Sequence, residues 1–231
     1  MRGHPPAGLR AVKAPTLRAR SPRPGKRGAT ALGVDRQRQI FVAASKLFVE
    51  KGFDGASMSD IAEAVQITKP GLYHFVDSKE DLLFTIVSFG MDRLDIDVIE
   101  PARQEPDPLK RLALIVRNHA MNVGRITTDI GSPLSIVVDE TSGLGAENRR
   151  AVDARKRAYF ELLRCTLDRL ETDGKLREGV DATAAAFSII GAVMWIARWR
   201  KADGRLSIEE VADQLTRIVL RGLLRPEVES A

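Results

Sequence analysis

The sequence predicts an all-α protein, and three observations carry that reading. Apolar residues recur at helical spacing from Ile40 to Leu224, aromatic residues make up only 5% of the chain, and hydroxyl or aspartate residues stand in front of the apolar series where helix caps belong. A length of 231 residues allows one or two domains, and 44% hydrophobic with 29% charged residues rules out wholesale disorder. The single Cys165 excludes an intrachain disulfide framework and a cysteine-cluster zinc site. It fits a reducing compartment and is expected to pack as a small apolar residue. No run approaches the roughly eighteen apolar residues of a membrane helix, and no apolar stretch follows the basic start as in a signal peptide. The expectation is a cytoplasmic protein of about nine helices.

The net charge of +5 is unevenly spread. Residues 1–39 hold ten basic groups and one acid, Asp35, so the remainder of the chain is net acidic. The same arm carries Pro5, Pro6, Pro15, Pro22 and Pro24 and almost no large apolar side chain. Such a composition cannot offset the entropy of ordering, and residues 1–33 read as a disordered basic arm. It is either a solubilising tail or a polycation adding salt-dependent attraction to DNA phosphates.

From Asp35 the pattern becomes helical. Ile40, Ala43, Ala44, Leu47 and Phe48 share one face, and Gly52-Phe53 reads as a helix end with Gly52 left-handed and Phe53 folded back on the last turn. Ser57 caps a second, short helix with Asp60 in its first turn and Ile61, Ala62 and Val65 inward. Thr68 caps a third, with Pro70 tolerated in the first turn. Ser78 caps a fourth, carrying Leu82, Leu83, Ile86, Val87 and Phe89. After Pro101 a helix runs through Leu109, Leu112, Val116, Ala120 and Val123; residues 131–146 are hard to place. A long amphipathic helix spans 147–173, a strongly apolar one runs from Asp181 to about Arg200, and Ser207 caps the last, ending before Pro226. The domains expected are a DNA-binding unit at 34–96 and a helical ligand-binding and dimerisation unit at 97–225.

The stretch Ser57 to Lys79, SMSDIAEAVQITKPGLYHFVDSK, carries the function. Two short helices joined by a brief turn, with a preceding helix across both, form a helix-turn-helix. Ser57, Thr68, Lys69, Gly71, Leu72, Tyr73, His74 and Lys79 are the candidate DNA-binding residues, offering hydroxyl, ammonium, phenol and imidazole groups to a major groove and its phosphates. Lys79 is expected to anchor a phosphate beside the helix start behind Ser78.

Residues from about Arg36 to Phe89 resemble the DNA-binding domain of TetR-family transcriptional repressors. That pattern is a small hydroxyl residue, I-A-x-x-A-G-V, a run ending L-Y-x-x-F, then S-K-x-x-L. Ser57, Ile61-Ala62, Ala64-Val65, Ile67, Leu72-Tyr73, Ser78-Lys79 and Leu82-Leu83 match it. Two positions depart. Gln66 replaces a glycine at a turn that tends to need positive φ, so either it costs about 1 kcal/mol or the turn is built slightly differently, and Val76 replaces an aromatic, with Phe75 one position earlier. Trp195-Ile-Ala-Arg-Trp199-Arg200 and Gly204-Arg205-Leu206-Ser207 are similar to the C-terminal domain of relatives that respond to acyl-CoA thioesters, regulators of fatty-acid and steroid catabolism among them. The resemblance implies a homodimer through the last two helices and an enclosed effector pocket.

Within that frame Leu112, Val116, Phe160, Leu163, Met194 and Trp195 are the candidate pocket walls. The basic run Arg149, Arg150, Arg155, Lys156 and Arg157 is either a solvated face or a site for CoA phosphates. His119 reads first as a packed residue, and Trp195 and Trp199, four apart on one face, as core or dimer packing. No nucleophile elbow, H-E-x-x-H or Walker A run occurs, and the three histidines fall in separate segments, so no catalytic or metal site and no cofactor is expected. The function implied is a ligand-responsive repressor that leaves a palindromic double-stranded DNA operator on binding a small apolar effector. A constitutive architectural DNA binder, and a helical acyl-thioester enzyme or carrier, remain the alternatives.

Overall fold

A computed structural model describes residues 31–130, 141–201 and 203–226. The basic arm up to residue 30 and residues 131–140 lie outside the described residues, and so does most of what the sequence implies for the arm and for segment 131–146. The elements named among the described residues are all helical: α1 (Ala31–Gly55), α2 (Met58–Ala64), α3 (Lys69–Leu72), α4 (Lys79–Leu94), a π turn (Asp95–Ile99), α5 (Glu100–Gln104), α6 (Pro108–Ile130), α7 (Ala146–Thr172), α8 (Ala182–Trp199) and α9 (Ile208–Leu223). The helix expected after Pro101 begins at Pro108, and Asp107 sets its start by accepting from the Leu109 and Lys110 amides.

Caps account for most of the element starts. Ser57, Thr68, Ser78, Asp181 and Ser207 each accept from a backbone N–H three residues on. At Ser57 and Ser207 the acid three residues on returns the bond to the cap's own N–H, completing a capping box. Gly52 takes φ 72°, and Phe53 turns back to lie 5.5 Å from the Phe48 ring, which terminates the regular part of α1 as expected.

The α4–α5 connection is not a loop. The helix continues through a π turn, where the Glu100 N–H bonds back to the Asp95 carbonyl. Pro101 explains the widening, because its ring crowds the carbonyl one turn back and it has no N–H to offer. The Asp97 carbonyl left without that donor accepts instead from Asn118 Nδ2 on α6, at 3.0 Å.

In the C-terminal half, α6 packs on α7, α8 and α9, and α8 packs on α7. One core, containing Leu112, Ile115, Val116, Leu163, Leu167 and Leu170, is continuous with the apolar interior of the N-terminal helices. A second joins Ala120 and Val123 of α6 to Val193 and Ile196 of α8 and Val211 of α9. Helix α8 is 18 residues long with a mean hydropathy of 1.4, so by length and composition it matches a membrane span, which residue counting along the sequence does not anticipate. It is a packed bundle helix here, with Ala185, Ala186, Ile189, Val193 and Ile196 buried. Cys165 departs from expectation: it sits on the outer side of α7 and is exposed.

Candidate functional site

Helices α1 to α4 build the helix-turn-helix. Ile61 and Leu72 are wholly buried and Ala62 nearly so, which fixes α2 on α3. The turn between them puts Gln66 at φ 56°, the left-handed conformation expected where the family pattern has glycine. Arg36 of α1 ties this turn down by donating to the Val65 carbonyl at 3.0 Å. Phe75 and Val76 both pack partly buried against the core, so the shifted aromatic still fills the space beneath α3.

The outer face of α3 presents Thr68, Lys69, Tyr73 and His74, all exposed, around Gly71, whose amide donates to Thr68 Oγ1. Ser57 is exposed at the start of α2. Two members of the candidate set take other roles. Leu72 has no exposed surface and anchors α3 to the core, because it faces inward one helical step from Tyr73. Lys79 points under the domain: its ammonium donates to the Phe53 and Ala56 carbonyls at 2.8 and 2.9 Å and lies 4.3 Å from the centre of the Phe53 ring. It closes the end of α1, a cation at a helix C-terminus.

A cavity of about 780 Å³ opens between α4, α6, α7 and α8. Met91, Leu94, Val123, Phe160, Ile190 and Met194 supply its apolar walls. Phe160 and Met194 of the candidate set line it. Leu112, Val116 and Leu163 do not: they are fully buried in the solid core below, on the turns of α6 and α7 that face each other. Trp195 is 59% exposed and points off the bundle, since Val193 and Ile196 take the inward positions of α8.

At the buried end of the cavity the Tyr159 hydroxyl lies 2.8 Å from His119 Nδ1. Burial pushes the imidazole down to about 4 and raises the phenol, so both are neutral at physiological pH. Asn122 lies beside them with its amide donating to Asp97 at 2.9 Å. The signal for this pair is present in the sequence: His119 falls seven residues after Leu112 and four before Val123, on the apolar stripe of α6, where a polar tip needs a partner. The outer rim carries Asp153, Lys156, Arg157 and Glu161.

The basic run on α7 divides its work. Arg149 donates to the carbonyls of Thr141, Ser142 and Leu144 and folds the preceding loop. Arg155 reaches α4, pairing with Asp92 at 2.8 Å and with Asp95. Lys156 and Arg157 remain at the cavity rim. The loop folded by Arg149 sits against the DNA-binding helices. The Gly145 amide donates to Glu80 at 2.8 Å, and a Cβ on Gly143 would meet the Phe53 ring at 2.3 Å. Phe53 and Glu80 therefore join the cavity-bearing helices to the helix-turn-helix.

Comparison with known proteins agrees with both halves. Residues 40–86 match the tetR family of bacterial regulatory proteins, and residues 105–223 match the tetracyclin repressor-like C-terminal domain. The HTH-type transcriptional repressor KstR2 of Rhodococcus jostii (strain RHA1) is 29% identical over 195 residues, which is 83% of this chain and 92% of that protein. The crystal structure of AibR in complex with isovaleryl coenzyme A and operator DNA is 36% identical, covering 79% of this chain and 97% of that one, with a TM-score of 0.66. PfmR from Thermus thermophilus is 32% identical over 80% of this chain and 99% of its own, also at a TM-score of 0.66. With an exposed recognition face on α3 and a cavity within the C-terminal bundle, the chain belongs to the TetR family of bacterial transcriptional regulators.

Proposed function

We propose that this regulator is a homodimeric repressor that occupies a palindromic operator and releases it on binding an acyl-CoA thioester. The observation that carries the reading is the cavity between α4, α6, α7 and α8. Its size lies in the usual range for small-molecule sites, its walls are apolar, and cationic Lys156 and Arg157 stand at the rim. An acyl chain fits such walls, and the two cations suit CoA phosphates through charge-assisted hydrogen bonds. The likeness to AibR, whose structure holds isovaleryl coenzyme A and operator DNA, supports the same occupant class.

Thr68, Lys69, Tyr73 and His74 form the DNA-facing set, with Ser57 and Gly71 at its edges. Two such faces in a dimer lie about 34–36 Å apart, one turn of the duplex, when each enters a successive major groove. The regulator acts where the chromosome is, in the cytoplasm. The test is to titrate acyl-CoAs of graded chain length into the protein–operator complex, with free CoA and free fatty acids as controls. Release by acyl-CoAs and not by CoA is expected; release by none of them, or equally by CoA alone, would overturn the assignment of the effector.

A further inference from the structure

We propose that the His119–Tyr159 pair is the specificity element of the cavity, selecting an acyl group that carries a hydrogen-bonding oxygen over a plain alkyl chain. The inference rests on the effector reading above. It starts from the geometry of the pair. Both side chains are at least nine-tenths buried, both line the cavity, and the rings meet edge to face with centroids 5.2 Å apart. Tyr159 occupies Nδ1 of the imidazole, and Nε2 has no partner among the described residues.

Counting protons gives the consequence. If the phenol donates to Nδ1, the neutral imidazole carries its proton on Nε2 and holds that N–H ready. If Nδ1 carries the proton and donates to the phenol oxygen, the phenol O–H is the group left over. Either tautomer leaves one donor uncommitted at the buried end of an otherwise apolar chamber. The neighbouring Asn122 amide spends one of its two N–H groups on Asp97. A keto or hydroxyl oxygen placed there accepts the donor. An alkyl chain of equal length displaces water and leaves the donor bare, and a site built around a hydrogen bond rejects the analogue lacking it. The charged rim sets the direction of entry: the phosphates stay at Lys156 and Arg157, and the acyl end goes down to the pair.

The experiment is direct binding of hexanoyl-CoA, 3-oxohexanoyl-CoA and 5-oxohexanoyl-CoA to the full-length protein by calorimetry. We compare wild type with His119→Phe, Tyr159→Phe and the double variant, using operator affinity as the check on folding. At least one oxo form is expected to bind wild type roughly tenfold or more tightly than hexanoyl-CoA. The double variant, which removes both candidate donors, should bring that ratio close to one while keeping operator binding, and a single variant that abolishes it identifies which of the two groups donates. Equal binding of all three by wild type, or an oxo preference that survives both substitutions, would overturn the inference and leave the effector reading standing. Binding of none of the three by a wild-type protein that binds its operator would overturn both. If a variant fails to bind the operator, the wild-type ratio and the other variants decide.

Discussion

Gln66 holds φ at 56° in the turn of the helix-turn-helix, a conformation in which Cβ crowds the next carbonyl. Gln66→Gly removes that strain but frees the unfolded chain, so a net gain of about 0.5 kcal/mol is expected in denaturant unfolding. Gln66→Val should instead lose about 1 kcal/mol or more, because a β-branched residue tolerates this region least. A glycine variant less stable than wild type would mean that the Gln66 side chain contributes more than its backbone strain removes. His119 makes a second test at this scale. Its folded value of about 4 lies below the ordinary 6.5, so between those values the unfolded chain binds a proton that the native state refuses. Stability is then full above about pH 6.5 and falls as the pH drops toward 4, by at most about 3 kcal/mol. Asp60, Asp107 and Glu210, held below their ordinary values by hydrogen bonds at helix starts, weaken the fold only in more acid solution. His119→Phe should therefore flatten the decline in melting temperature between about pH 7 and pH 5. An identical decline in both proteins would show that the imidazole does not carry it.

The helix that links the domains is shaped by residues far apart in the chain. Pro101 removes one donor from the turn at Asp97, and Asn118 on α6 replaces it. Asn118→Ala should leave that carbonyl without a partner and destabilise the protein by about 1–2 kcal/mol in chemical denaturation. No change would mean that water or a shifted turn satisfies the group. This element also marks the boundary of what the sequence reveals. Starts set by a local cap were readable, because Ser57, Thr68, Ser78, Asp181 and Ser207 bond within their own first turn. Gly52 was readable for the same reason, announcing its own φ, whereas the positive φ at Gln66 is implied only by the resemblance to a family pattern that has glycine there. The π turn was not, since its cause is a proline read together with an asparagine on another helix. The carbonyl partners of Lys79 are not legible for the same reason, lying more than twenty residues earlier in the chain. The cavity was legible as a place between helices, but which apolar residues lined it depended on whether each faced a neighbouring helix or a gap. Leu112, Val116 and Leu163 face neighbours, and Phe160 and Met194 face the gap.

At the scale of the whole molecule, a single chain leaves apolar surface uncovered on its last two helices. Phe187, Trp195, Trp199 and Ile218 are each half or more exposed, a face that a second copy would cover. Trp195→Glu with Ile218→Glu should give monomers in sedimentation and weaken operator binding at least tenfold, since only a dimer spans both half-sites; a dimer that survives both charges would place the interface elsewhere. Coupling between effector and operator then has to pass through contacts that join the two halves of each subunit. The structure offers the loop pinned by Arg149, seated on Phe53 and Glu80, and the Arg155 pairs with Asp92 near the end of α4 and Asp95 in the π turn that follows, α4 being a helix that also walls the cavity. A hundredfold release of operator requires about 2.7 kcal/mol of coupling, and linkage makes the same factor act in reverse, so saturating operator must weaken the effector a hundredfold. Glu80→Ala removes the acceptor for the Gly145 amide, and Gly143→Ala drives a methyl into the Phe53 ring. Either change should shrink both factors together, to about tenfold for a loss of half the coupling, while the affinity of effector for the operator-free protein stays near that of wild type. Measured by titration with and without operator, two factors that fall in step locate the coupling in this loop. Factors left at their wild-type values would assign it to the α4 ion pairs instead, and Arg155→Ala would then carry the loss.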